Sequence, residues 1–541
     1  MRRLIAGAIA GCATVAVVTT AAAPTRAASA SLRPAAPGLR GAAPGEASVT
    51  RIAWGACANA ALTKAQVQCG RLQVPLDYRA PSGPHITLAV SRVRHTVPTA
   101  RYQGVMLTNP GGPGGSGLPY AALGKHVPKN AGASYDWIGF DPRGVGSSTP
   151  SLSCLPNYFH GNRPPYVPIT DALRTTWLAR SRAYAAACEG DAAALLPHMT
   201  TIDSAHDMDS IRAALGARTI NYYGFSYGTY LGQVYTTLFP SRVRRMVLDS
   251  NVDPRDVWYR ANLNQDIAFE RNIRIWFGWL ARYNSVYHLG TTEFAVQRLF
   301  YQQENALRRH PAGGVVGPSE WHDAFLWAGY YQITWLDLAG VFASWVHQRD
   351  SKKLIAAYRS ADSVGNDNGY AVYNAVECTD AQWPQQWSTW ARDNWRTYRI
   401  APFETWSNAW FNAPCLFWPA RARTPVQVNG GSVPALLVDE TLDAATPYPG
   451  SLEVRRLFPR SRLLAEPGGT THAGTLRGNA CADDTIAAYL ATGALPARRA
   501  GDRADAYCTP LPEPVPGRAA ADGATVLQLR VAQRPALLAG H

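Results

Sequence analysis

The chain has 541 residues, 47% of them hydrophobic and 17% charged, with a net charge of +14. This composition excludes a disordered or low-complexity protein and supplies a large core, built as one elaborated α/β unit or as up to about three domains. The excess of Lys and Arg contains no basic block and no nucleic-acid motif, so it reads as a solvated arginine-rich surface and no nucleic-acid partner is expected.

Met1-Arg2-Arg3 and the apolar run from Leu4 to Ala23 read as a secretory signal over residues 1–30, with Ala28-Ser29-Ala30 as a small-residue cleavage site. Three other readings compete: a twin-arginine signal, an uncleaved membrane anchor, and a lipoprotein box at Ile9-Ala10-Gly11-Cys12. The apolar run continues past Cys12, whereas a lipidated cysteine opens a polar tether, so extracellular release without stable membrane association is expected. Residues 31–50, rich in Ala, Pro and Gly, read as a flexible leader or propeptide. Eight cysteines remain beyond Cys12, and an even number in an exported chain predicts disulfides. Pairing sequence neighbours gives Cys57 with Cys69, Cys154 with Cys188, Cys378 with Cys415, and Cys481 with Cys508. No C-x-x-C pair is present, so neither a metal site nor a cofactor is expected.

From Ile52 the composition becomes globular and opens a core spanning residues 51–253. Cys69 to Tyr78 reads as a strand ending at a turn. His85 to Val93 alternates through Ile86, Leu88 and Val90, as a half-buried strand in an antiparallel start to a sheet does. The short strand Gly104 to Thr108 runs straight into Asn109-Pro110-Gly111-Gly112-Pro113-Gly114-Gly115-Ser116-Gly117. Five glycines and two prolines in nine residues make a rigid loop with uncovered amides, suited to an anion. It lacks the lysine of a phosphate loop, so the expected guest is an oxyanion, held by the Gly112 amide with Gly111 as the alternative. Tyr135 to Phe140 is the next strand, closed by Asp141-Pro142-Arg143-Gly144. Helices are predicted from Thr170 to Leu195 and, with a cap, from Thr201 to Gly216.

Thr219 to Tyr223 is β-prone and Tyr230 to Leu238 is helix-compatible, so Gly224-Phe225-Ser226-Tyr227-Gly228 lies where a strand turns into a helix. A G-x-S-x-G nucleophile elbow requires that context. Its glycines let backbone pass close to backbone, which pushes the Ser226 hydroxyl above the sheet and aims the Tyr227 amide at the same point. Val243 to Ser250 is another strand, and strands alternating with helices predict a doubly wound, mostly parallel α/β sheet.

Residues 254–429 break this rhythm. They are mostly helical in pattern and hold 14 of the 17 tryptophans, so a helical cap inserted after a core strand is expected, its aromatics divided between packing and a substrate groove. Residues 430–510 resume the core with a strand at Val433 to Val438, a helix at Leu452 to Phe458, a strand at Arg462 to Ala465 and a helix at Asp483 to Thr492. Residues 511–541 read as a C-terminal tail. In such folds the acid and then the base follow the nucleophile. Only His472 and the terminal His541 lie beyond the resumed core, which leaves His472, in the loop Gly468 to Gly474. For the acid, Asp439, Glu440 and Asp443 compete; Asp443, at the turn Thr441 to Pro447, is preferred because it leaves room for one helix and one strand before His472.

In order, the Asn109 to Gly117 loop, Asp141-Pro142-Arg143-Gly144, Gly224-Phe225-Ser226-Tyr227-Gly228 and Leu442-Asp443-Ala444-Ala445-Thr446-Pro447 resemble the secreted tripeptidyl aminopeptidases of the proline iminopeptidase-like α/β-hydrolases. The resemblance covers about residues 50 to 510. It implies a serine exopeptidase of α/β-hydrolase fold that acts on peptide or protein N-termini. Ser226, Asp443 and His472 would form its triad, and the Gly112 and Tyr227 amides its oxyanion hole. Two departures stand out: Asp439-Glu440 places acids where such proteins often carry small residues, and Thr471-His472-Ala473 replaces the more usual glycines. An exopeptidase of this kind must hold a free ammonium, and the resemblance of Ala375 to Asp380 to the family's cap segment offers Glu377 and Asp380 as anchors. A monomer is expected. Two other classes share the pattern, a secreted carboxylesterase or lipase and an inactive binding protein.

Overall fold

The computed structural model describes residues 51–190, 193–362 and 364–517; the expectations for residues 1–50, Cys12 included, and for the tail beyond 517 lie outside them. Among the described residues ten strands form one sheet. They are β1 (Gly55–Ala56), β2 (Gln68–Pro75), β3 (His85–Val93), β4 (Val105–Asn109), β5 (Asp136–Asp141), β6 (Ile220–Phe225), β7 (Val243–Asp249), β8 (Ala435–Glu440), β9 (Ser461–Glu466) and β10 (Ala506–Tyr507). Their order is β1-β2-β3-β5-β4-β6-β7-β8-β9-β10. The first three pair antiparallel, as does β3 with β5. The remaining neighbours are parallel. The chain dictates this division: β2 and β3 are joined by a short turn, whereas most later strands are separated by helices long enough for a crossover. β4, β6 and β8 are buried at every position, because helices cover both faces, and they therefore read as unbroken runs rather than as alternation.

β4 pairs with β5 on one side and β6 on the other, so the chain reverses its winding there. Loops leaving adjacent strands at such a point diverge and open a crevice. The Gly-rich loop leaves β4 and the elbow leaves β6, and the strand ends are in register, the last residue of β4, Asn109, opposite Gly224.

Between β7 and β8 the chain is helical, from Tyr259–Arg282 to Thr405–Asn412. It has its own apolar core, in which Trp276, Trp279, Trp321, Trp335, Phe300 and Phe342 are buried. The described residues nevertheless belong to one compact unit. A buried cation joins this helical segment to the loop after β5. Arg163 bonds Glu320 (2.9 Å), Asp362 (2.9 Å), Asp323 and the Tyr166 hydroxyl (3.2 Å).

All four predicted cysteine pairs are bonded. The pair Cys481–Cys508 anchors the segment carrying β10, a strand too short to show in the sequence. Beyond it, Trp279 Nε1 donates to the Pro514 carbonyl (2.9 Å) and Arg282 pairs with Glu513, so the chain at Glu513 and Pro514 lies against the helical segment. No described helix is long and apolar enough to cross a membrane.

Candidate active site

β6 ends at Phe225, and Ser226 follows with φ 54° and ψ −129° before the helix Tyr227–Leu238. A left-handed serine is strained and persists only where its surroundings fix it. Here the Ser226 amide donates to the Asp249 carbonyl (3.0 Å), and the Thr229 amide and hydroxyl donate to the Ser226 carbonyl (2.8 and 2.6 Å). The elbow glycines are set by close approach. A Cβ on Gly224 would lie 2.5 Å from the Gly228 carbonyl oxygen, and one on Gly228 would lie 2.6 Å from that of Asn109. The Gly-rich loop therefore packs directly on the elbow. Asn109 Oδ1 accepts the Gly111 amide (2.9 Å), which commits that donor and leaves Gly112 as the loop glycine facing the cavity beside Ser226 and Tyr227.

His472 lies in the loop after β9. Its Nδ1 meets Asp443 Oδ2 at 2.8 Å. Asp443 is fully buried, and its oxygens also accept the Ala445 amide (2.8 Å), the Thr446 amide (3.1 Å) and the Thr446 hydroxyl (3.0 Å). Of the three competing acids, only Asp443 reaches the imidazole: Asp439 accepts from the Ser451 hydroxyl (2.5 Å) and Glu440 from the Thr471 amide (2.6 Å). Within the described residues the Ser226 hydroxyl is not hydrogen-bonded to the imidazole, a looseness usual before substrate binds. Both side chains line one cavity of about 480 Å3.

The helical segment between β7 and β8 roofs this cavity and holds the loops that carry Asp443 and His472. The His472 amide donates to the Tyr330 carbonyl (2.9 Å). Asn272 Nδ2 lies within bonding distance of the Gly329 (3.1 Å), Leu442 (2.9 Å) and Thr470 (3.4 Å) carbonyls, so one amide ties the roof to the loop of Asp443 and the loop of His472. Of the fourteen tryptophans in the segment, Trp258 and Trp327 line the cavity, as do Tyr330, Tyr331 and Tyr373.

The two acids expected to hold an ammonium separate. Glu377 lines the cavity, and its Oε2 is buried without a hydrogen-bond partner in the protein. Burial pushes its carboxyl well above the usual range, partly opposed by Tyr373 and Asn262. Asp380 does not line the cavity. Its oxygens are taken by the Thr201 amide (2.7 Å), the Thr201 hydroxyl (2.5 Å) and Trp258 Nε1 (3.4 Å), and burial raises it to about 7. Asn262, Asn272 and the tyrosines carried no signal in the sequence, because their roles come from contacts between remote segments.

Glu440, one of the unexpected acids, fills the space beneath the His472 loop. A Cβ on Gly469 would come within 2.3 Å of its Oε2. Burial, with Glu466 and Asp443 nearby, raises its carboxyl from 4.5 to about 8 against the opposing Thr471 bond. A raised carboxyl favours the folded state below the unfolded value and loses that contribution as pH climbs through about 8. Glu440→Gln, neutral throughout, is expected to lie close to the wild-type stability near pH 5 and to gain about 4 kcal/mol on it by pH 9. Parallel melts across that range check this; a constant difference refutes it.

The family model described as the alpha/beta hydrolase fold matches residues 104–471, and the chain belongs to that family. It is 44% identical over 479 residues to tripeptidyl aminopeptidase of Streptomyces lividans, covering 86% of this chain and 88% of the relative. It is 31% identical to serine protease Hip1 of Mycobacterium tuberculosis, covering 79% and 86%, and 29% identical to carboxylesterase B of the same organism, covering 82% and 88%. The protein is thus an enzyme, a serine hydrolase of the tripeptidyl aminopeptidase kind.

Proposed function

We propose that this enzyme is a secreted aminopeptidase that releases short peptides, tripeptides foremost, from free N-termini. One observation carries the reading: Ser226, His472 and the buried carboxyl of Glu377, whose Oε2 has no hydrogen-bond partner in the protein, line a single roofed cavity. His472, held by Asp443 in the tautomer with Nδ1 protonated, takes the Ser226 proton as Oγ attacks the scissile carbonyl. The resulting oxyanion lies on the Gly112 and Tyr227 amides. His472 then returns the proton to the departing amine, and water resolves the acyl-enzyme by the same route. Residues 254–429 act as the cap, and the S. lividans relative supports peptide over ester as the substrate. The signal reading of residues 1–30 and the four disulfides support export to an oxidising compartment.

Glu377 supplies the ruler. Burial disfavours the charge on its carboxyl; an arriving ammonium favours the ionised form and is fixed at one distance from Ser226. Glu377→Gln is expected to reduce the ratio of kcat/KM for a free tripeptide anilide over its N-acetylated counterpart by about 100-fold. An unchanged ratio removes the anchor. Turnover of a short-chain acyl ester well above that of the tripeptide anilide overturns the peptidase reading in favour of an esterase.

A further inference from the structure

Resting on the aminopeptidase reading, we propose that Arg477 forms a subsite for a carboxylate on the leaving side of the scissile bond, either the C-terminal carboxylate or an acidic side chain of the departing peptide. Three arginines line the catalytic cavity, Arg255, Arg260 and Arg477. The first two are neutralised where they stand. Arg255 pairs with Asp253 at 2.6 Å, and Arg260 pairs with Asp256 at 3.3 Å. Arg477 has no ion pair among the described residues, and its Nε is buried without a hydrogen bond. Its guanidinium lies over the Tyr331 ring, 5.2 Å from the centroid. The charge of Arg477 is felt by the buried Asp249 without an ion pair forming, and a buried donor left without a partner is costly, so a protein keeps one where a ligand supplies the acceptor.

The surroundings are built to present this side chain. Asp483 accepts the Leu476 amide (2.7 Å) and the Gly478 amide (3.0 Å), so the backbone is clamped on both sides of Arg477 while the guanidinium stays uncommitted. The flat face of Tyr331 fixes the guanidinium plane, which suits a two-pronged grip on a carboxylate.

Position gives the side of the bond. Arg477 follows His472 in the same loop, and the Tyr331 ring that carries it lies 6.4 Å from the imidazole. The imidazole hands its proton to the departing amine, so the leaving peptide lies along this edge. Glu377 stands with Tyr373 and Asn262 and belongs to the acyl side. The cavity thus carries an acid for the substrate's ammonium and a base for its carboxylate, opposite charges that read the direction of a short peptide.

The test uses the full-length enzyme and pentapeptides with free N-termini: one ending in a carboxylate, its C-terminal amide, and that amide with Glu or Gln as the first departing residue. The wild type is expected to prefer the acid over the amide, or Glu over Gln, by about tenfold in kcat/KM, the scale of one charge-assisted contact. Whichever ratio departs from one assigns the source of the carboxylate. Arg477→Gln is expected to bring that ratio close to one and Arg477→Lys to keep part of it; because each ratio is taken within one variant, a general loss of activity cancels. Wild-type ratios near one, or an unchanged ratio in Arg477→Gln, overturn the subsite alone. Failure of the wild type to release an N-terminal peptide from any of the series overturns the aminopeptidase reading and the subsite with it.

Discussion

Ser226→Ala is expected to lower kcat for a tripeptide anilide by about a million-fold, to abolish labelling by a fluorophosphonate, and to leave the melting temperature nearly unchanged. The size of the loss follows from the way the site works as a unit. Without Oγ the imidazole has no proton to accept, and the oxyanion hole and the binding groups alone sustain only a residual rate. The backbone around residue 226 is held by its own amide and carbonyl, so the hydroxyl is not what fixes the elbow. For the same reason His472→Ala is expected to cost a similar factor, and the double variant no more than either single one. Losses that multiply in the double variant, or a retained rate in Ser226→Ala, overturn the triad.

The second large effect is on stability. Arg163 is buried against Glu320, Asp323 and Asp362, so Arg163→Met leaves three carboxyls in the interior without their cation. Removing one member of a buried ionic cluster costs about 3–5 kcal/mol, and urea midpoints measure it. The pH dependence has a definite sign. With Arg163 gone, Asp362 loses the cation that opposes its burial, so its folded value rises further above the unfolded one, and the variant's deficit, full at neutral pH, shrinks as acidification lets this carboxyl protonate. Asp362 is already pushed up by burial and by Asp323 against the pull of Arg163. A deficit that widens on acidification contradicts this account.

Much of the site was legible because close contact leaves few choices of residue. Gly224 and Gly228 are required by neighbouring carbonyls under 3 Å from where a Cβ would sit, so the elbow shows in the sequence as plainly as in space. The disulfides were legible because each pair bridges a short span of chain. The acid was not fully legible. Asp439, Glu440 and Asp443 fall within five residues, and only the turn after β8, which points one inward to His472, separates them. Glu377 and Asp380 were inseparable for a related reason: three positions along a helix turn a side chain by about 60°, enough to move one carboxyl from the cavity to Thr201. Asn272 and Arg477 could not be read at all, since the groups that give them meaning lie far away in the chain.

Asn272 joins the roof to both loops that carry the acid and the base, and the Tyr330 carbonyl holds the base's own amide. A roof that swung clear would break these bonds to both loops, so the proposed triad is assembled with the roof in place. Traffic must then use the standing doorway at Ile267 and Arg260, cavity residues that remain exposed. A cavity reached under a fixed roof suits a loose chain end better than a folded surface. On the proposed aminopeptidase reading, trimming from the tip follows from the architecture before it is a preference of any pocket.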